Sequence, residues 1–156
     1  MQEQEISLEE DLRWMGHALG LAQKAENEGE VPVGAVIVRD GVLVAEGWNR
    51  NISLSDPSAH AEIMALRSAG QSLQNHRMPG CVMYVTLEPC VMCVGALIHA
   101  RLDGLVFGAP DPKTGALGGA YSLPQECPQN HALHYRGGVL EERSSELLKA
   151  FFRARR

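Results

Sequence analysis

Two short segments constrain what this chain can fold into more than any other feature. One is Pro89-Cys90-Val91-Met92-Cys93, and the other is His60-Ala61-Glu62, which lies thirty residues earlier. Cysteines three positions apart place both sulfurs on one face of a helical turn. Zinc binds thiolate sulfur and imidazole nitrogen, so Cys90, Cys93 and one histidine would supply three ligands. A chain built around such a site must bring distant segments together.

The number of ligands indicates a catalytic zinc site. A closed structural site needs four ligands, and the sequence has neither a second Cys-x-x-Cys nor a pair of histidines with zinc-finger spacing. Three ligands leave room for a water molecule, and carboxylates commonly carry protons beside such a water. Glu62 stands two residues after His60. We therefore predict one zinc ion per chain, held by His60, Cys90 and Cys93, with Glu62 as the catalytic proton carrier.

The order of these motifs is similar to the signature of the zinc-dependent nucleoside and nucleobase deaminases, in which His-x-Glu precedes Pro-Cys-x-x-Cys. The similarity extends over nearly the whole chain. Segments 31–49, 60–67, 86–93, 107–116 and 151–156 resemble those of the bacterial tRNA adenosine deaminases, a branch of the cytidine/deoxycytidylate deaminase superfamily. The stretch 117–120 departs from the pattern of that family.

This resemblance implies a fold, an activity and a partner. The fold would be the α/β, three-layer α/β/α cytidine-deaminase-like architecture with a mixed five-stranded sheet. The activity would be hydrolytic deamination of adenosine to inosine at the wobble position of a tRNA anticodon loop, by a homodimer that binds the anticodon stem-loop. The residues that the resemblance assigns to substrate binding are Val31, Asn49, Asp111, Lys113, Phe152 and Arg153.

Two other functions fit the zinc motif. The first is deamination of a free nucleobase, nucleoside or nucleotide of the cytosine or guanine type, which the signature alone does not separate from tRNA deamination. The whole-chain resemblance and the basic C-terminal end favour tRNA. The second is a zinc-stabilised RNA-binding or redox module without catalysis. Glu62 and the missing fourth ligand argue against that module.

The length and composition favour one cytoplasmic domain. A chain of 156 residues can bury a proper core, and we predict one domain over 1–156. The acidic segment Met1–Asp11 lacks the apolar centre of a signal peptide. The longest apolar run, near 89–98, is too short to cross a bilayer, so no membrane partner is expected. In the cytoplasm the four cysteines are thiols or ligands and not disulfides.

The distribution of charge leaves room for an RNA partner despite the net charge of −5. Residues 1–30 carry eight acidic and two basic side chains, whereas the rest of the chain has twelve basic and eleven acidic ones. The last eight residues contain Lys149, Arg153, Arg155 and Arg156 with no acid. Phosphate binding depends on this local potential and not on the sum over the chain. Such an end is equally compatible with a solvated helix face.

Hydrophobic periodicity and turn residues predict the order α-β-β-α-β-α-β-β-α. The first helix is expected from Ser7, with a capping box, to near Gly29. The second is expected from Asp56-Pro57-Ser58, which would place His60 and Glu62 in its first turn. The predicted strands are 33–39, 42–48, 81–87, 105–107 and 132–137. The last two helices are predicted at 90–100 and 140–155, and a long loop at 108–129.

Overall fold

The computed structural model describes the backbone of residues 2–155 and the side chains of residues 8–155. The side chain of Ser7 and the whole of Arg156, both named above, lie outside the described residues. The helices are α1 (Gln2–Asn27), α2 (Ala61–Leu73), α3 (Val91–His99), α4 (Leu123–Glu126) and α5 (Glu141–Arg153). The strands are β1 (Gly34–Arg39), β2 (Val42–Trp48), β3 (Cys81–Leu87), β4 (Gly104–Ala109) and β5 (His134–Arg136).

The strands form one mixed five-stranded sheet in the order β2-β1-β3-β4-β5. The hairpin partner β2 and the central strand β3 both run antiparallel to β1. The pairs β3–β4 and β4–β5 are parallel. In each parallel pair the two strands are joined by a crossover that contains a helix, as parallel pairing requires. The mixed sheet that the resemblance implied is therefore confirmed.

Helices cover both faces of this sheet. Successive side chains of β1 point to opposite faces because strand side chains alternate. Ala35 and Ile37 belong to the core beneath α2 and α3. Val36 and Val38 belong to a second core together with Met15 and other side chains of α1, and α5 packs beside α1. The predicted three-layer α/β/α architecture is confirmed.

The small residue Gly34 has a packing explanation. A Cβ atom on Gly34 would overlap the backbone of Ala18 and Ala22 in α1. Glycine therefore allows the helix to lie directly on the strand. Small residues at this point of a strand fit either close helix packing or the approach of a ligand, and at Gly34 the structure shows helix packing.

Two predicted helix starts and one predicted loop were wrong. The helix α1 begins at Gln2 and not at Ser7, because the preceding Gln and Glu residues are themselves good helix formers. The helix α2 begins at Ala61, so His60 is its N-cap and does not lie in the first turn. The carboxylate of Asp56 accepts hydrogen bonds from the N–H and hydroxyl of Ser58 and closes a local turn instead of starting the helix. The predicted loop at 108–129 contains the short helix α4.

The sheet places the ends of β1, β2 and β3 around the N-termini of α2 and α3. The helix α3 begins four residues after Leu87, the last residue of β3, and α2 follows β2 through the turns at residues 51–57. In residues 2–155, each helix is either too short or too polar to cross a bilayer.

Candidate active site

His60, Cys90 and Cys93 lie together with the geometry of a metal site. Their ligand atoms are all within 4.8 Å of one another. The Nδ1 atom of His60 is 3.6 Å from the sulfur of Cys90 and 3.5 Å from that of Cys93. A tetrahedral zinc ion with ligands at about 2.3 Å (S) and about 2.1 Å (N) separates these atoms by about 3.6 Å. The three residues therefore fit the zinc ion that the sequence predicts.

The ligands stand at helix N-termini. His60 is the N-cap of α2, and Cys90 is the N-cap of α3. The first N–H groups of a helix have no intrahelical acceptor and give this end a partial positive charge, which favours thiolates. A hydrogen bond from Cys93 lowers the pKa of Cys90 to about 4, and a hydrogen bond with His60 acts in the same direction. This shift favours the thiolate form of Cys90, which is the form in which cysteine binds zinc.

Glu62 lies in the first turn of α2 and is 4 % exposed. It does not join the cluster formed by the described side chains of His60, Cys90 and Cys93. Burial raises the pKa of its carboxyl group, because a charged carboxylate loses hydration there. A carboxyl group with a raised pKa, next to but outside a metal cluster, is suited to accept a proton and return it.

Asn49 connects β2 to the site. It follows the last residue of β2, and its Oδ1 accepts a hydrogen bond of 2.8 Å from the backbone N–H of Ala61. This bond satisfies one of the free donors at the start of α2. Among the described residues, the Nδ2 group of Asn49 has no hydrogen-bond partner. Asn49 thus holds the helix that carries Glu62 and keeps a donor for a ligand.

A cavity of about 240 Å³ is lined by Glu62 and by two of the three predicted zinc ligands, His60 and Cys90. The residues that line it are Val31, Val33, Asn49, Asn51, His60, Glu62, Leu87, Glu88, Cys90, Asp111 and Thr114. Three of the residues predicted to bind substrate, Val31, Asn49 and Asp111, are therefore brought to the predicted zinc ligands. The carboxylate of Asp111 accepts hydrogen bonds from the N–H groups of Lys113 and Thr114 and from the Thr114 hydroxyl. It closes a tight turn at the cavity wall.

The other predicted substrate residues line a separate groove. Lys113, Phe152 and Arg153 lie there with Leu148, Lys149 and Arg155, around a volume of about 700 Å³. Phe151 is buried, whereas Phe152 is half exposed. We call this surface the basic groove. It carries four cationic side chains and one exposed aromatic ring, which is a composition suited to a nucleic-acid strand.

Sequence reasoning missed several cavity residues, of which Glu88 is the most informative. Glu88 is 3 % exposed, and its carboxylate accepts hydrogen bonds from the backbone N–H groups of Asp111, Leu117 and Gly119. In the sequence it stands directly after the predicted strand 81–87, inside the segment 86–93 that carries the resemblance, and no role was assigned to it. An acidic residue directly after the buried strand β3 and two positions before a metal ligand was the available signal.

Comparison with known protein families agrees with this geometry. Residues 8–109 match the family described as the cytidine and deoxycytidylate deaminase zinc-binding region. This matched region contains His60, Glu62, Cys90 and Cys93.

Curated relatives match over almost the whole chain. The tRNA-specific adenosine deaminase of Haemophilus influenzae is 49 % identical over 97 % of this chain and 88 % of its own length. The enzyme of the same name from Bacillus subtilis is 43 % identical over 92 % of this chain and 89 % of its own length.

Solved structures give the same result. A structure from a study of A-to-I editing by tRNA:A34 deaminases at the wobble position has a TM-score of 0.82 and 42 % identity. The match covers 87 % of this chain and 99 % of that one. A guanine deaminase from Nitrosomonas europaea has a TM-score of 0.75 at 26 % identity, over 90 % of this chain and 83 % of its own. The chain therefore belongs to the cytidine and deoxycytidylate deaminase family and, within it, to the tRNA-specific adenosine deaminases.

Proposed function

We propose that this protein hydrolyses adenosine to inosine at the wobble position of a tRNA anticodon loop and releases ammonia. The observation that carries the proposal is the turn at 111–114. Asp111 and Thr114 line the catalytic cavity, while Lys113 lines the basic groove. One turn therefore joins a pocket large enough for a base to a surface suited to phosphates. A tRNA substrate also agrees with the cytoplasmic location expected from the sequence.

His60, Cys90 and Cys93 would hold the zinc ion, with His60 binding through Nδ1. At this site zinc would act as a Lewis acid that lowers the pKa of a water molecule. Two thiolates neutralise the charge of the metal, so a neighbouring base is needed to complete the removal of the proton. Glu62 is the carboxyl group placed to do this.

Glu62 would move protons at three points of the reaction. It accepts a proton from water as the oxygen attacks C6 of the base. It then donates this proton to the ring nitrogen N1. The second proton, from the hydroxyl group now on C6, passes through Glu62 to the amino group, and the C6–N bond breaks as ammonia leaves. Asn49 lines the cavity, and its Nδ2 group would donate a hydrogen bond to the base. The base must leave its stack to enter the cavity, which favours an unpaired loop nucleotide.

A comparison of substrates tests this function. Purified zinc-loaded protein is incubated with an anticodon stem-loop that has adenosine at the wobble position, and separately with adenosine, cytosine, cytidine and guanine. Ammonia release is measured in each case. Release from the stem-loop alone supports the proposal. Release from a free base or nucleoside with none from the stem-loop would favour the alternative, a free-substrate deaminase such as the structurally similar guanine deaminase.

The basic groove should provide salt-dependent affinity for RNA. Replacement of both Lys149 and Arg153 by Ala removes two groove cations and should lower the slope of log Kd against log salt by about 0.7–0.9 per lost phosphate contact. Fluorescence anisotropy with the stem-loop over a salt series measures this slope. Arg77→Ala is the control, because Arg77 is exposed before the start of β3, at the opposite end of that strand from Glu88. An unchanged slope in the double variant would exclude the groove as the phosphate site.

The exposed face of α3 is suited to a homodimer. Val91 and Met92, in its first turn, are 50 % and 37 % exposed, and the next turn presents the small residues Gly95 and Ala96. Exposed apolar side chains beside small residues allow close packing of a second copy. Such a dimer would place the partner chain against Val91, which directly follows Cys90 in the sequence.

Met92→Glu should convert the dimer to a monomer because it places a charge in the interface. Light scattering should give twice the chain mass of 17.0 kDa for the wild type and the single mass for the variant. Val42→Glu, at a site that is 64 % exposed on β2, is the matched control and should remain dimeric. A wild-type protein that is monomeric at the assay concentration would contradict the dimer.

A further inference from the structure

Glu88 is a buried acid that the proposed chemistry does not use. It follows the last residue of β3 and stands two positions before Cys90. Its side chain lines the catalytic cavity and is 3 % exposed. Within residues 8–155 no lysine or arginine forms an ion pair with it. A buried carboxylate without a cation must be stabilised by hydrogen bonds.

The partners of Glu88 are backbone N–H groups of one loop. The Oε1 atom accepts a bond of 2.9 Å from Asp111, and the Oε2 atom accepts bonds of 2.9 Å from Leu117 and from Gly119. The two ends of the 111–119 loop are thus held by one side chain. A Cβ atom on Gly115 or Gly119 would collide with this carboxylate and with the Asp111 backbone. The loop is closed tightly around Glu88.

The held loop is the one that joins the cavity to the basic groove. Asp111 and Thr114 line the cavity, and Lys113 between them lines the groove. The main chain of Glu88 is anchored as well, since its N–H donates to the carbonyl of Ala109 at 2.8 Å. Through Pro89 it is also continuous with the ligand Cys90. Glu88 therefore links the metal-binding turn to the loop that carries Lys113.

We propose that Glu88 is a positioning residue that fixes the distance between the phosphate-binding groove and the base-binding cavity by holding the 111–119 loop. Its hydrogen bonds within the described residues join it to the 111–119 loop and to Ala109, and not to His60, Cys90 or Cys93. Its contribution is to RNA binding through Lys113, and this inference rests on the proposed RNA substrate.

The test is a double-mutant cycle on stem-loop binding. Glu88→Gln keeps the shape of the side chain but turns an NH₂ group toward backbone donors, so part of the loop loses its acceptor. The dissociation constant is measured with zinc-loaded protein in a Glu62→Ala background, where no turnover consumes the RNA. We expect Glu88→Gln to weaken binding about tenfold, the size of one lost charged hydrogen bond. The zinc content should not change.

The coupling between variants separates positioning from simple loss of stability. Lys113→Ala should weaken binding in the parent but add almost nothing to Glu88→Gln, because Lys113 is already displaced. Arg153→Ala alters α5 and not the loop. It should therefore weaken binding by the same factor in the parent and in Glu88→Gln. The effects of two substitutions on the binding free energy are not additive when both act through one structural element, whereas the effects of independent substitutions add.

Two further variants complete the design. Asp11→Asn removes the charge of another buried carboxylate, which is bound to Tyr84 and Arg136 on the α1 side of the sheet; it should lower stability without changing the dissociation constant. Gly119→Ala disturbs the contact with Glu88 from the loop side and should reproduce the effect of Glu88→Gln. It serves in its place if Glu88→Gln does not fold.

Either an unchanged dissociation constant in Glu88→Gln or full additivity with Lys113→Ala would overturn the inference. An equal loss of binding in Asp11→Asn would do the same. Parallel deamination of the stem-loop by the wild-type chain separates these failures from failure of the proposed function. If the wild type produces no inosine, the proposed function fails; if it does and the cycle is additive, only the role of Glu88 fails.

Discussion

Replacement of Glu62 by Ala should lower turnover by at least about 10²–10⁴-fold, the usual contribution of a general acid–base group. The physical reason is the position of this carboxyl group, which is buried in the cavity beside the metal-ligand cluster but outside it. Removal of the side chain takes away the acceptor for the proton of water and the donor to N1. The measurement is the single-turnover rate of inosine formation with saturating enzyme.

Two companion measurements establish that the loss is chemical. Glu62→Ala should keep one zinc ion per chain by atomic emission and the thermal unfolding profile of a folded protein. Glu142→Ala is the matched control, because Glu142 also lies in the first turn of a helix but is exposed on α5, and it should keep the full rate. A Glu62→Ala variant with a near wild-type rate would refute the role of Glu62 as proton carrier. Loss of zinc from this variant would show that Glu62 is a metal ligand.

Replacement of Cys90 by Ala should remove the zinc and destabilise the fold. Zinc would bind only the folded arrangement of His60, Cys90 and Cys93, so its binding free energy would add to the free energy of unfolding. Free zinc at a thousand times its Kd contributes about 4 kcal/mol, equivalent to roughly 8–16 °C in Tm for a domain of this size. Zinc content by atomic emission and Tm by calorimetry measure the two effects.

Cys127→Ala is the matched control for this experiment. Cys127 is an exposed cysteine outside the cluster, and its replacement should leave both zinc content and Tm unchanged. Wild-type zinc content in Cys90→Ala would show that the three residues are not the metal site.

The grouping of His60, Cys90 and Cys93 was predictable from sequence because its parts are short local motifs. One motif is a pair of cysteines three positions apart in a helical turn. The other is a histidine two positions before a glutamate. Local backbone geometry alone keeps the residues of each motif close together. The layered fold was equally predictable in outline, since the order of helices and strands fits a sheet between helices and the resemblance implies that architecture. The remaining step, which brings residue 60 next to residue 90, was inferred from the ligand types and agrees with the order of motifs in the resembled deaminases.

The parts that escaped prediction depend on contacts between distant segments. The start of α2 was misplaced because the Asp56 carboxylate accepts hydrogen bonds from Ser58 and does not cap the helix. Glu88 reaches N–H groups that lie 23 to 31 residues further along the chain, and backbone donors carry no signature in a sequence. The division of the predicted substrate residues between cavity and groove likewise depends on where the loop at 111–119 is held. Local patterns do not contain that information.

Mapping of inosine within an anticodon stem-loop tests the central claim most directly. The zinc-loaded protein is incubated with a stem-loop that contains adenosine at the wobble position and in the paired stem, and the products are sequenced by mass spectrometry after nuclease digestion. The structure and the family relationship predict one inosine per molecule, at the wobble position, with none in the stem and none with Glu62→Ala. Absence of inosine from the loop, in a preparation that carries zinc and deaminates free guanine or cytosine, would contradict the account.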